Sequence, residues 1–146
     1  MASKKILVIH GPNLNMLGKR EPEVYGTTGL NEINKNLLTL GKKLGLTVDT
    51  FQSNHEGAII DKIHEAFQKH NGLIINTGAY THTSIAIRDA LTMIKAPVIE
   101  VHLSNIFKRE PFRHKSLVAE VATASICGFG HHGYYMALEA IARMLK

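Results

Sequence analysis

The sequence predicts an α/β protein built on one five-stranded parallel sheet. Three observations carry that prediction. Five short blocks rich in Ile and Val are continuously apolar rather than alternating, as strands covered on both faces are. Segments with helical spacing separate most of them. Their order is β-α-β-α-β-α-β, an irregular stretch, then β-α.

The elements follow in chain order. Lys5 to His10 reads as the first strand, and a long connection from Gly11 to Gly29 follows it. Leu30 to Leu44 carries Ile33, Leu37, Leu40 and Leu44 at spacings of three and four, which predicts a helix. Leu46 to Gln52 is the second strand. His55 to His70 places Ile59, Ile60, Ile63 and Phe67 on one helical face, with Asn54 as its expected N-cap. Gly72 to Thr77 is the third strand, and Thr83 to Ile94 is a helix through Ile87, Ala90, Leu91 and Ile94. Pro97 to His102 is the fourth strand. The stretch from Ser104 to about Val121 is irregular; Ala122 to Gly128 is the fifth strand. Tyr134 to Leu145 closes the chain as a helix carrying Leu138, Ile141 and Leu145. This order predicts a three-layer, doubly wound, flavodoxin-like fold. Both long connections then lie at the carboxyl edge of the sheet, where such folds bind ligands.

The length of 146 residues predicts a single domain over 1–146, with a core that needs no disulfide or metal. The net charge is +5, and the pI is near 9.4. Lys and Arg are scattered without a run of five, so the excess suits a small anion better than nucleic acid. Cys127 is the only cysteine, which argues for a reducing compartment. No signal-peptide pattern precedes the first strand, and no apolar stretch approaches bilayer length. The expectation is a cytoplasmic protein with no nucleic acid or membrane partner.

Two segments carry acid–base chemistry. The first long connection holds Asn13, Arg20 and Tyr25. A tyrosine has a pKa of about 10 and is a poor base unless a cation favours its anion. Arg suits that task because it stays charged. Gly18 and Gly26 flank the segment as candidate hinges of a lid. Spacing alone equally allows a solvated Arg and a packed Tyr. The second segment is the fourth strand, Pro97-Val98-Ile99-Glu100-Val101-His102. Glu100 and His102 are two apart and share a face. A carboxylate bonded to the ring favours imidazolium, which makes His102 a candidate general acid. A hydrogen-bonded polar pair without catalytic duty remains open.

Further candidates are binding groups. Free N–H groups at Ser104 and Asn105 suit a carboxylate, though a plain turn also fits. Asn76 at a strand end and His82 near a helix start suit ligand hydroxyls. Asp89 follows His82 by seven residues, about 10 Å along one helix face, too far to share one hydroxyl within a chain. It is free to reach a neighbouring subunit or to pair with Arg88 or Lys95. His64 and His70 read as surface or boundary residues. The adjacent His131 and His132 are weak metal evidence. GFGHHG lacks the Lys-Ser/Thr of a P-loop.

Taken together, GPNLNMLGKREPEVYG, INTGAYTHTSIAIRDAL, PVIEVHLSNIFKREPFRHKS and GFGHHGYYMAL resemble type II 3-dehydroquinate dehydratase, in order along nearly the whole chain. The resemblance implies dehydration of 3-dehydroquinate to 3-dehydroshikimate without metal or organic cofactor. It implies a homo-oligomer, a dodecamer built from trimers. Tyr25 matches the base, Arg20 the arginine that activates it, and Asn13 an enolate stabiliser. His102 matches the proton donor and Glu100 its orienting partner. Backbone N–H groups of Leu103 and Ser104 match the carboxylate site. Asn76, His82 and Arg113 match contacts to substrate hydroxyls. Asp89 matches a residue contributed across a subunit interface, and Arg109 a further arginine near the site. Pro111, Leu117, Ala124 and His10 depart from the commoner family pattern. None of these four is a proposed catalytic residue.

Two other classes compete. A flavin- or nucleotide-binding module needs a phosphate cradle after the first strand. Gly11-Pro12-Asn13-Leu14 is a poor one, because Pro12 has no N–H. A basic nucleic-acid-binding protein should show steep salt dependence.

Overall fold

A computed structural model describes residues 2–146; Met1, where the leader expectation begins, lies outside it. The five strands are β1 (Lys4–His10), β2 (Leu46–Gln52), β3 (Gly72–Asn76), β4 (Val98–His102) and β5 (Ala124–Cys127). They form one sheet in the order β2-β1-β3-β4-β5, and every pairing is parallel. The helices are α1 (Pro22–Tyr25), α2 (Leu30–Lys43), α3 (Glu56–Ala66), α4 (Ile85–Leu91) and α5 (His132–Met144). The expected three-layer, doubly wound architecture is therefore present.

Alternation along each strand divides the core. Ile6 and Val8 of β1, Ile74 of β3, and Ile99 and Val101 of β4 pack with Ile33 and Leu37 of α2 and with Leu138 and Ile141 of α5. Leu7 and Ile9, Leu73 and Ile75, and Val98 face the other way, against Ile59 and Ile63 of α3 and Ile87 and Leu91 of α4. Both faces are buried, which is why the strands read as continuous apolar runs.

α3 and α4 are shorter than periodicity predicts, whereas α5 starts two residues earlier, at His132. The expected helix to His70 ends at Ala66, because Phe67 turns extended (ψ 120) and Gln68 adopts φ 67. Asn54 is not its cap. His55 holds that place without a side-chain bond, while Asn54 Oδ1 accepts from the Asn13 N–H (3.0 Å) and from Gln52 Nε2 (3.1 Å). The expected helix from Thr83 starts at Ile85, capped by Ser84 Oγ accepting from the Ile87 N–H at 2.9 Å. His82 belongs to a separate 3-10 turn, Gly78–His82, so His82 and Asp89 do not share one helix face. The first long connection contains α1, which periodicity missed because it is a single turn with Pro22 at its start.

Gly11 ends β1 where no side chain fits. A Cβ there would lie 2.6 Å from the Thr77 carbonyl carbon and oxygen. The chains leaving β1 and β3 can therefore run side by side.

Candidate active site

The chain departs to opposite sides of β1 when it builds β2 and β3, which opens a crevice at the carboxyl ends of β1 and β3. One cleft occupies this edge. Its walls come from the first long connection (Asn13, Leu14, Leu17, Arg20, Tyr25), the end of β3 and the turn after it (Asn76, Gly78, Ala79, His82), and the end of β4 with its following loop (His102, Leu103, Ser104, Ile106, Arg109, Arg113). All the predicted site residues line it except Glu100, Asp89 and Asn105; Asn105 instead caps the turn Ile106–Lys108, its Oδ1 accepting from the Phe107 N–H at 3.1 Å.

Glu100 sits directly behind His102. Its Oε2 is 2.6 Å from His102 Nε2 and accepts from Ser116 Oγ (2.6 Å) and Thr81 Oγ1 (3.1 Å). Its Oε1 accepts from Ser125 Oγ at 3.1 Å, because Ser125 of β5 stands opposite Glu100 in the strand register. Burial opposes ionisation of this carboxylate. The His102 hydrogen bond and charge, with the Ser116 and Thr81 hydroxyls, outweigh it and hold the carboxyl below its usual range. With Nε2 committed to Glu100, Nδ1 is the His102 nitrogen left for the cleft. Thr81, Ser116 and Ser125 were not foreseen; only strand register after β5 is placed singles out Ser125.

Tyr25 stands on the opposite wall. Arg109 Nη1 donates to its Oη at 2.9 Å and to Ser104 Oγ at 3.3 Å. Arg20 lies over the ring face, its guanidinium carbon 5.0 Å from the centroid, and pairs with Glu21 at 3.0 Å. The phenol oxygen thus receives its hydrogen bond from Arg109, while Arg20 reaches the π-face. The sequence placed Arg20 beside Tyr25 but could not rank it against an arginine 84 residues away.

The binding candidates are also fixed in place. Asn13 adopts φ 70, a left-handed conformation that asparagine tolerates, at the turn into Leu14–Met16. His82 Nδ1 donates to the Lys115 carbonyl at 2.8 Å, which frees Nε2 to accept. Arg113 bonds Glu110 at 2.9 Å. The backbone N–H groups of Leu103 and Ser104 meet no protein acceptor among the described residues. Asp89 is outside the cleft, on α4, where its carboxylate meets Arg88 at 3.3 Å. Among the described residues no three His, Cys, Asp or Glu side chains converge on a metal-sized site.

Three guanidiniums, two unpaired N–H groups, a carboxylate-backed imidazole and an arginine-held phenol therefore face one cleft. The fold and cleft define a flavodoxin-like α/β protein with a cleft of paired ionisable side chains at the carboxyl edge of its sheet. Comparison with known proteins narrows that class. The family model "Dehydroquinase class II" matches residues 4–142. The 3-dehydroquinate dehydratase of Ruegeria pomeroyi is 58% identical over 141 residues, covering 97% of this chain and 95% of its own. That of Gloeothece citriformis is 57% identical over 146 residues, covering 100% of this chain and 96% of its own. The crystal structure of type II dehydroquinase from Propionibacterium acnes superposes with a TM-score of 0.94 at 45% identity, covering 97% of each chain. The chain belongs to the class II dehydroquinase family.

Proposed function

We propose that this cleft dehydrates 3-dehydroquinate to 3-dehydroshikimate through an enolate, without metal or organic cofactor. Family membership supports the reaction. The observation that carries the mechanism is the pairing of Tyr25 with Arg109 on one wall and His102 with Glu100 on the other. A guanidinium donating to a phenol oxygen stabilises negative charge there, so Tyr25 serves as the base that removes the proton beside the ring ketone. Arg20, over the same ring, adds positive charge where the transition state is anionic. Asn13 stabilises the enolate. The β-hydroxyl then leaves as water, taking its proton from His102 Nδ1, while Glu100 keeps the ring oriented. The Leu103 and Ser104 N–H groups receive the substrate carboxylate. Asn76, His82, Arg113 and Arg109 hold the remaining oxygens.

The same reading places the enzyme in the cytoplasm as a dodecamer built from trimers, with Asp89 reaching a neighbouring subunit's site. No helix of the described residues is long and apolar enough to cross a membrane. The test is direct: purified protein with excess chelator should convert dehydroquinate to an ultraviolet-absorbing enone. Absence of that signal in folded protein overturns the reading. A sedimentation mass other than a dodecamer's overturns the assembly.

A further inference from the structure

Behind the cleft, four side chains from four elements form an unbroken polar chain through the core. Asn76 Nδ2, at the end of β3, donates to Tyr134 Oη of α5 at 3.2 Å. Tyr134 Oη and His10 Nδ1, at the end of β1, are 2.8 Å apart. His10 Nε2 and Asn34 Oδ1 of α2 are also 2.8 Å apart. His10 and Tyr134 are fully buried, and Asn76 is nearly so. None of the proposed acid–base groups takes part, yet Asn76 lines the cleft.

One bond sets the direction of the whole chain. The Gly78 N–H can only donate, and it donates to Asn76 Oδ1 at 3.1 Å. Asn76 therefore presents Nδ2 to Tyr134, whose oxygen accepts there. The Tyr134 proton must go to His10 Nδ1, since no other acceptor meets it. The ring then carries its own proton on Nε2 and donates it to Asn34. The reversed order would set the Asn76 amide nitrogen against the Gly78 N–H, donor against donor. Gly78 has φ 58, and a Cβ there would come within 3.1 Å of the Pro12 carbonyl oxygen, so glycine suits the backbone that supplies this anchor. A protonated His10 would offer two donors and break the sequence. Burial prevents this by pushing the ring down to about 4, and it holds the Tyr134 phenol above its ordinary range.

We propose that Tyr134 and His10 are positioning residues that, together with the Gly78 N–H, hold the Asn76 amide in one orientation toward the cleft. The second Nδ2–H and a free Oδ1 lone pair are thereby offered to a ligand hydroxyl in one arrangement. The identity of that ligand rests on the proposed function; the proton order does not.

Two measurements decide the matter. The first is kinetic. Tyr134→Phe keeps the core ring and removes one oxygen, which leaves the Asn76 amide held by the Gly78 N–H alone and its Nδ2 without a protein acceptor. KM for dehydroquinate should rise about tenfold or more, with kcat changed less, as expected for a donor left unmatched. In an Asn76→Ala background the same change should have little further effect. Unchanged KM in Tyr134→Phe, or equal penalties in both backgrounds, overturns the proposal. The second needs no turnover, so it reads the proton order even where the dehydration assay fails or the variant does not fold. Nitrogen NMR of the wild-type imidazole at pH 7 should show His10 as the neutral Nε2–H tautomer. A cationic ring or the Nδ1–H tautomer overturns it.

Discussion

Replacing His10 with asparagine should flatten the acid limb of the stability curve. An ordinary histidine titrates near 6.5, whereas the buried His10 ring is pushed down to about 4. Between those values the unfolded chain holds a proton that the native state refuses. Stability therefore rises with pH through the window and falls as pH drops from 6.5 to 4. Below about 4 both states are protonated and this contribution stops changing. At roughly 1.4 kcal/mol per pH unit, the window is worth about 3 kcal/mol. Such a loss is a large part of the 5–15 kcal/mol typical of a domain, so it is readily measured. Tyr134 and Asn34, which bond the ring, bear no charge near neutrality, so burial dominates the shift. Glu100 also loses its advantage in acid, because its carboxyl is held below the ordinary value of 4.5. It acts lower on the pH scale and is common to both proteins. The assay is urea unfolding of wild type and His10→Asn at pH 7, 6, 5 and 4. The wild type should lose about 3 kcal/mol more than the variant across that series. Parallel curves would refute the burial argument, whatever the absolute stabilities.

Other outcomes follow from the same geometry. Tyr25→Phe should lower kcat by about a hundred- to ten-thousand-fold with the fold intact, read as enone formation alongside circular dichroism. Arg20→Ala and Arg109→Ala should each cost most of the activity; full activity in either would exclude that guanidinium from acting on Tyr25. Glu100→Gln sets an amide among donors from His102, Thr81, Ser116 and Ser125. It should lower kcat with the fold intact, and unchanged kcat would deny Glu100 a part in holding the His102 ring. Gly11→Ala forces a methyl against the Thr77 carbonyl and should destabilise by about 1–3 kcal/mol in urea titration; a neutral result would mean that the β1 and β3 ends separate freely.

The sequence by itself determined the strand blocks, the winding of the sheet and the pairing of Glu100 with His102. Continuous apolar runs report burial on both faces, and a spacing of two within a strand guarantees a shared face. It also singled out the polar side chains of the cleft wall, through motifs that survive without coordinates, but not its apolar lining of Leu14, Leu17 and Ile106. Local rules failed at the element ends. Asn54 is a good cap by type, yet its amide is drawn to Asn13 and Gln52 across the loop. His82 and Asp89 belong to different elements because Thr83 (φ −131) interrupts the helical path between them.

What only the tertiary structure decided is who partners whom across long separations. Arg109 rather than Arg20 bonds the Tyr25 oxygen. Glu100 gains Ser125 from the next strand, and His10 gains Tyr134 from a helix 124 residues away. Periodicity reports whether a side chain is covered, since burial depends on one face of one element. Hydrogen-bond partners are set by sheet order and register, which bring distant residues together. The arginine–tyrosine pairing first read from the connection between His10 and Gly26 is therefore a three-residue arrangement, completed from beyond the fourth strand.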